Sequence, residues 1–344
     1  MHLESTPNTT ATINGKEYLF FSGTSYLGVS MLPEFQELVV QSIKKWGVSY
    51  GSSRNANLKL DIYKKGELFL RNFLHSESAV TVSSGTLAGQ FTLRALHTIV
   101  DEFYYMPKTH PSILPEKATA VFLDSVLNTS LKEVENKTIC IVVDAIAALE
   151  TTPFSFDFLT EISSTNTIYV LIDESHSLGI LGANGNGISR QVSKNKALKI
   201  ITVSSLGKAF GVNGGVISGA TTFINIIKED PLFIGSAGMS PAFLETYLNA
   251  QTLYTTQREK LKDNIAFVAA KLGHLKEVSI SKNYPVFFFK DPEIADYLFQ
   301  KNLLITSFYY PATTQKINRI VINANHTKEQ LAQLVENLIA FSQK

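Results

Sequence analysis

The sequence is short of three things, and each shortage excludes a class of protein. There is one cysteine in 344 residues, so a disulfide framework is excluded. That cysteine, Cys140, lies in the apolar run Ile139-Cys140-Ile141-Val142-Val143 and reads as a small core residue rather than a nucleophile. Net charge is almost absent: 31 Lys and Arg stand against 30 Asp and Glu, a balance of +1. No long-range field then gathers nucleic acid or an anionic membrane, and small molecules are the expected partners. Long apolar runs are missing too, none approaching the ~18 residues that span a bilayer. The first ten residues are polar, include Glu4, and lack the basic-then-apolar order of a secretory signal. A reduced, cytoplasmic protein without nucleic acid, membrane insertion or a metal is expected.

What is present suits a large domain with a smaller companion, since 44% of residues are hydrophobic and 18% charged. Helix-spaced apolar residues run over Glu34–Trp46 and Leu60–Leu74. Ala79–Val82 then reads as a strand, Ser83-Ser84-Gly85-Thr86 as a tight turn and Leu87–His97 as a helix. Short continuous apolar strands are predicted at Ala120–Leu123, Ile139–Val143, Ile168–Ile172, Ile200–Val203 and Gly215–Ser218. The expected class is α/β, a mostly parallel sheet covered by helices, with ligands at the carboxyl ends of its strands. Beyond Pro241 the pattern is α+β: a long helix over Ala242–Leu272, a strand at Val286–Phe289, a helix near Pro292–Lys301, a strand at Arg319–Asn323 and a helix over Thr327–Phe341. The division expected is an arm over 1–35 that joins the small domain, a large domain over 36–240 and the small domain over 241–344. Repeats and an obvious linker are lacking, so the two are expected to pack closely.

Three stretches carry chemistry. Val170-Leu171-Ile172-Asp173-Glu174-Ser175-His176 brings two carboxylates and a histidine to a strand end. A helicase-type ATPase ends a strand similarly but needs a Gly-Lys-Ser/Thr phosphate loop. Here Gly15-Lys16 is followed by Glu17 and Gly207-Lys208 by Ala209. The second stretch, Thr202–Gly211, sets Lys208 just after another strand, among apolar and hydroxyl-bearing neighbours and ahead of Gly214-Gly215. A solvated loop lysine would have charged flanks; a desolvated one has the lowered pKa that Schiff-base chemistry requires. The third, Ser84-Gly85-Thr86 at a helix start, suits a phosphate. Phosphate cup, acid and lysine, in that order, are the parts of a pyridoxal phosphate (PLP) site.

With those motifs in view the chain resembles the α-oxoamine synthases of the fold-type I PLP superfamily, from about Tyr18 to Leu338. That group includes 8-amino-7-oxononanoate synthase, 2-amino-3-ketobutyrate CoA ligase, 5-aminolevulinate synthase and serine palmitoyltransferase. The resemblance implies that Asp173 faces the pyridine nitrogen, that His176 lies beside the ring oxygen, that Lys208 forms the Schiff base and that Ser205 contacts the phosphate. Thr109-His110-Pro111-Ser112-Ile113 is similar to the family's Asn-His-Ala-Ser-Ile, which implies that His110 stacks on the ring; a solvated loop histidine is the alternative. Asn318–Thr327 resembles the family's Arg-x-x-x-Ser-Ala-x-His-Thr segment with Asn323 in the serine's place. Arg319 is then the clamp for a substrate carboxylate, against the alternative of an edge-strand surface arginine. Phe233-Ile234-Gly235-Ser236-Ala237 is similar to the segment that reaches the partner's phosphate, implying a homodimer with shared sites and a role for Ser236.

The departures from the family lie on the substrate side: Thr24 and Ser25 before Tyr26-Leu27-Gly28, Leu58 and Tyr63 after Gly51-Ser52-Ser53-Arg54, and Ala148 where a serine is usual. The implied reaction condenses an amino acid with an acyl-CoA or acyl-carrier-protein thioester, with loss of CO2, to an α-amino ketone. Lys208 removes the Cα proton, Arg319 holds the carboxylate and Asp173 keeps the ring nitrogen protonated. An aminotransferase uses the same lysine, acid and cup but releases no CoA. A silent subunit would normally lack the lysine, and a regulator would carry an added DNA-binding domain.

Overall fold

A computed structural model describes residues 2–147, 149–192, 198–309 and 316–343. The chain forms two compact units, one of Glu34–Gln251 and one of Met1–Pro33 with Thr252–Lys344.

The larger unit is built on seven strands: β3 Ser78–Val82, β4 Glu102–Tyr105, β5 Thr119–Ala120, β8 Thr138–Asp144, β9 Thr167–Asp173, β10 Leu198–Ser205 and β11 Gly215–Gly219, in the order β3-β11-β10-β9-β8-β4-β5. The pairings from β10 through β9, β8 and β4 to β5 are parallel, and β11 runs antiparallel to both β10 and β3. This is the mostly parallel α/β sheet expected. The central strands are buried on both sides, so they read as unbroken apolar runs: Ile139 through Val143 are all fully buried. One face packs Phe91, Leu96, Cys140, Val142 and Leu171, and the other Ile139, Ile141, Val143, Val170 and Ile172. Alternation along each strand therefore feeds two separate cores.

Two expectations are corrected here. The strand foreseen at Ala120–Leu123 is broken: β5 joins the sheet, while Phe122–Leu123 (β6) turns into a hairpin with Val126–Leu127 (β7), through Asp124 and Ser125 at positive φ. The helix foreseen over Ala242–Leu272 is two helices, Pro241–Asn249 and Gln251–Leu272, meeting at Ala250. The first belongs to the larger unit, where the Tyr247 ring meets Phe69 edge-on at 5.8 Å.

The smaller unit carries a six-stranded sheet in the order β1-β2-β14-β15-β13-β12. Its strands are β1 Thr10–Ile13, β2 Lys16–Phe21, β12 Val278–Ser279, β13 Val286–Phe289, β14 Leu303–Tyr309 and β15 Lys316–Val321. The parallel pairing of β2 with β14 splices the start of the chain into a sheet otherwise made from its end. The helix Lys328–Ser342 closes the unit, opened by a capping box in which Thr327 and Gln330 satisfy each other's backbone. Among the described residues no helix is long and apolar enough to cross a membrane.

Candidate active site

Parallel strands discharge their last residues along one edge of a sheet, and in the larger unit that edge gathers the residues singled out by sequence. Asp173 ends β9, is 6% exposed, and accepts a hydrogen bond from the Ser175 N–H at 2.8 Å. The Ser175 hydroxyl accepts the N–H of Ser205, at the end of β10, also at 2.8 Å. One short chain of bonds thus ties the acid to the strand that carries the lysine. Lys208 sits in the turn between β10 and β11, half-buried, with its Nζ 2.9 Å from His176 Nε2.

The phosphate-cup turn lies at the same edge. Ser84 caps the helix Gly85–Leu96: its side chain accepts from Leu87 N at 3.2 Å and its carbonyl from Ala88 N at 3.0 Å. The N–H groups of Gly85 and Thr86 are left as donors without a protein acceptor among the described residues, at the positive end of a helix dipole. Gly85 has to be glycine, because a Cβ there would sit 2.6 Å from the Ser205 Cβ. Two free amides, a dipole and the Ser205 hydroxyl suit a phosphate, and a buried acid beside a lysine suits a pyridinium ring with a reactive aldehyde. The residues present therefore fit pyridoxal phosphate.

His110 also reaches this edge, though its side chain is exposed. Its Nδ1 accepts the Ser112 N–H at 3.2 Å and lies 2.7 Å from the Ser112 hydroxyl, so in the neutral ring the proton is on Nε2. The same hydroxyl lies 3.4 Å from an Asp173 oxygen, so its single proton is shared between that carboxylate and His110 Nδ1. Burial lowers the His110 pKa, Lys208 lowers it further and Asp173 opposes them.

Two participants were given no role by the sequence. Asp144, 5% exposed, ends β8 in register with Asp173, and its carboxyl accepts the His110 N–H at 2.7 Å. An acid closing an apolar strand is the same signal as at Asp173, and could have found it. Glu174, fully buried, accepts from the N–H groups of Ile188 and Ser189 at 2.8 and 2.7 Å and from the Ser177 hydroxyl. It fastens the loop that follows β9.

Ser236 is not drawn into this group. It ends the short helix Pro231–Gly235 and donates back to the Leu232 carbonyl at 2.6 Å. Arg319 belongs to the smaller unit, on β15, where its guanidinium donates to the Gly23 carbonyl at 2.9 Å and the Tyr26 hydroxyl at 3.0 Å. Of the departures, Ser25 gives its carbonyl to the Asn323 side chain at 2.7 Å, and Tyr63 donates to the Met239 carbonyl at 2.8 Å. Leu58 is 75% exposed, and Thr24 is only partly buried. Ala148 lies outside the described residues.

The model of the family described as aminotransferase class I and II matches residues 26–338. The chain is 27% identical over 355 residues to an 8-amino-7-oxononanoate synthase of Petrotoga mobilis, covering 96% of this chain and 89% of that protein. It is 23% identical over 358 residues to a serine palmitoyltransferase of Bacteriovorax stolpii, covering 97% and 84%. Among solved structures, a serine palmitoyltransferase of S. paucimobilis with bound PLP and myriocin superposes with a TM-score of 0.81 at 18% identity, covering 99% of this chain and 92% of that one. An 8-amino-7-oxononanoate synthase of Francisella tularensis gives 0.73 at 23%, covering 95% and 98%. At these identities the structural likeness speaks for the fold.

Proposed function

Because the chain belongs to the aminotransferase class I and II family, we propose that it is a PLP-dependent acyltransferase of the α-oxoamine synthase type. It condenses an amino acid with an acyl thioester, with decarboxylation, to an α-amino ketone. The observation that carries the reading is the meeting of Lys208, His176 and Asp173 with the Ser84–Thr86 turn at one sheet edge. The names of the curated relatives point the same way.

When bound, the cofactor supplies an electron sink for negative charge at the substrate Cα. The chain's own residues do the rest. The N–H groups of Gly85 and Thr86 and the hydroxyls of Ser84 and Ser205 hold the phosphate. Asp173 keeps the pyridine nitrogen protonated, an anion facing a cation in a dry site. The Lys208 amine, which would hold the cofactor, would also take up the Cα proton, and His176 lies 2.9 Å from that amine. His110 would stack against the cofactor and could give a proton from its ring. Arg319, already fastened to Gly23 and Tyr26, offers its remaining donors to the substrate carboxylate.

Ser236 is assigned to a partner's phosphate in a homodimer with shared sites, the reading supported by the segment around it. A thioester of CoA or of a carrier protein is the acyl donor. The lone, fully buried Cys140 accords with a cytoplasmic protein.

The test is the visible spectrum of the purified protein with added PLP, beside Lys208→Ala, followed by assay of free CoA released from an acyl-CoA with glycine, alanine or serine. A lysine-dependent band and amino-acid-dependent CoA release are expected. A band without CoA release, but with transfer of the amino group to a keto acid, would replace the synthase by an aminotransferase.

A further inference from the structure

Two buried acids share one turn. Asp144 and Asp173 end adjacent parallel strands in register, and the turn 109–113 lies across them. Asp173 receives the Ser112 hydroxyl at 3.4 Å, and Asp144 receives the His110 backbone N–H at 2.7 Å. The turn is further held by Thr109, whose hydroxyl donates to the Met106 carbonyl at 2.6 Å, and by Gln90, which donates to the Ser112 carbonyl at 3.0 Å. Among the described residues the His110 ring bonds to no other element: its Nδ1 is engaged by Ser112, within the same turn. Whatever fixes the backbone of His110 therefore fixes the direction of its ring.

We propose that Asp144 is a positioning residue that sets the His110 imidazole by holding the His110 backbone N–H. It rests on the reading of His110 as a cofactor-site residue, whereas the contact itself does not. Asp144 does this work as an uncharged acid. Neighbouring strands lie ~4.8 Å apart, so two ionised carboxyls at this depth would repel strongly. Burial first, and then the charge of Asp173, hold Asp144 well above the usual carboxylate range; the His110 N–H and Lys208 act in the opposite direction. A neutral acceptor needs only a carbonyl oxygen. Asparagine can supply one and alanine cannot.

The charged groups around the ring are Asp173 on β9 and Lys208 in the turn after β10. Lys108, on the same loop, is paired with Glu150 at 2.6 Å. Replacing Asp144 by a neutral residue leaves all of these in place.

The experiment compares Asp144→Asn and Asp144→Ala with the unaltered protein. Nitrogen-15 NMR of the histidine rings, in protein free of cofactor and across pH, reads the His110 tautomer and its titration. Steady-state CoA release by the loaded enzyme reads kcat and KM. The asparagine variant is expected to keep the Nε2–H tautomer and the depressed titration. The alanine variant is expected to lose the tautomer preference, to titrate closer to an ordinary histidine, and to drop about 10-fold or more in kcat with KM for the amino acid unchanged. An alanine variant with an unaltered His110 signal overturns the proposal. So does an asparagine variant that behaves like alanine, because the charge would then be needed. Should Asp144→Ala fail to fold, Asp144→Val, apolar and of similar size, takes its place: loss of the tautomer preference supports the proposal and an unaltered His110 signal overturns it. If the unaltered protein binds no PLP while its His110 signal behaves as stated, the proposed function falls and the role of Asp144 stands.

Discussion

The two units hold their buried polar groups in opposite ways. In the larger unit, titratable groups gather at the sheet edge: Asp144 and Asp173 are bridged by the turn of His110 and Ser112, and Lys208 meets His176. In the smaller unit the buried polar cluster around Asn323 is built of amides. Asn323 donates to the Ser25 carbonyl at 2.7 Å and accepts the Asn325 N–H at 2.8 Å; Gln257 donates to the Leu27 carbonyl at 2.8 Å and to Asn325 at 2.6 Å; Asn264 donates to the His326 carbonyl at 3.0 Å. Even the histidine there is neutral, its Nδ1 accepting the Asn323 N–H at 2.9 Å and its ring stacked on Phe21 at 4.3 Å. The first arrangement leaves protons free to move. The second spends its polar groups on fixing backbone, which suits a frame that holds one arginine still.

Four measurements would break or sharpen that contrast. The largest effect is expected at Lys208: alanine removes both the attachment point and the proton acceptor, so CoA release should fall at least about 10³-fold, or ~4 kcal/mol of barrier, with the Tm little changed. A large loss of stability instead would mean that the edge is structural like its counterpart. Next is Gly28, at φ 61, where a Cβ would lie 2.4 Å from the Asn325 side-chain nitrogen and 2.5 Å from the Asn323 oxygen. Gly28→Ala should cost about 3 kcal/mol in denaturant unfolding, from overpacking and backbone strain together.

A comparable but pH-dependent effect belongs to His326. Burial lowers its pKa from 6.5 to about 4, so the fold prefers the neutral ring. That stabilisation is fully present above the unfolded value and is lost as pH falls toward about 4, where the unfolded chain binds the extra proton; its full size is about 3 kcal/mol. The Tm should therefore drop on acidification from neutral pH, and less steeply in His326→Gln. The smallest effect is at Tyr26, whose hydroxyl is one of two anchors of Arg319. Tyr26→Phe should raise KM for the amino acid by about 5-fold, ~1 kcal/mol, with kcat nearly unchanged.

Asp173 and Lys208 were legible because each is announced locally, an acid at the end of an apolar strand and a lysine among glycines. The α/β sheet was legible for the same reason, through fully buried runs such as Ile139–Val143. Asp144 differs: its importance comes from lying in register with Asp173, a pairing made across an entire crossover, and periodicity says nothing about which strand lies beside which. The strands β1, β2 and β14 went unseen although β2 and β14 carry the apolar runs Tyr18–Phe21 and Leu303–Ile305; what such short runs do not reveal is their pairing, made across nearly the whole chain. The break at Ala250 has no proline or glycine to mark it.

The splicing of β2 against β14 has a consequence during synthesis. Phe21 cannot meet Ile305 until nearly the whole chain has been made. At ~5–20 residues per second, the first hairpin waits on the order of tens of seconds with an open strand edge. The larger unit, continuous in sequence, can close meanwhile on its own. A finished larger unit would thus wait on an unfinished smaller one, and a chain cut off shortly before β14 would keep Lys208 and its acids but lack Arg319 and the strand that carries it.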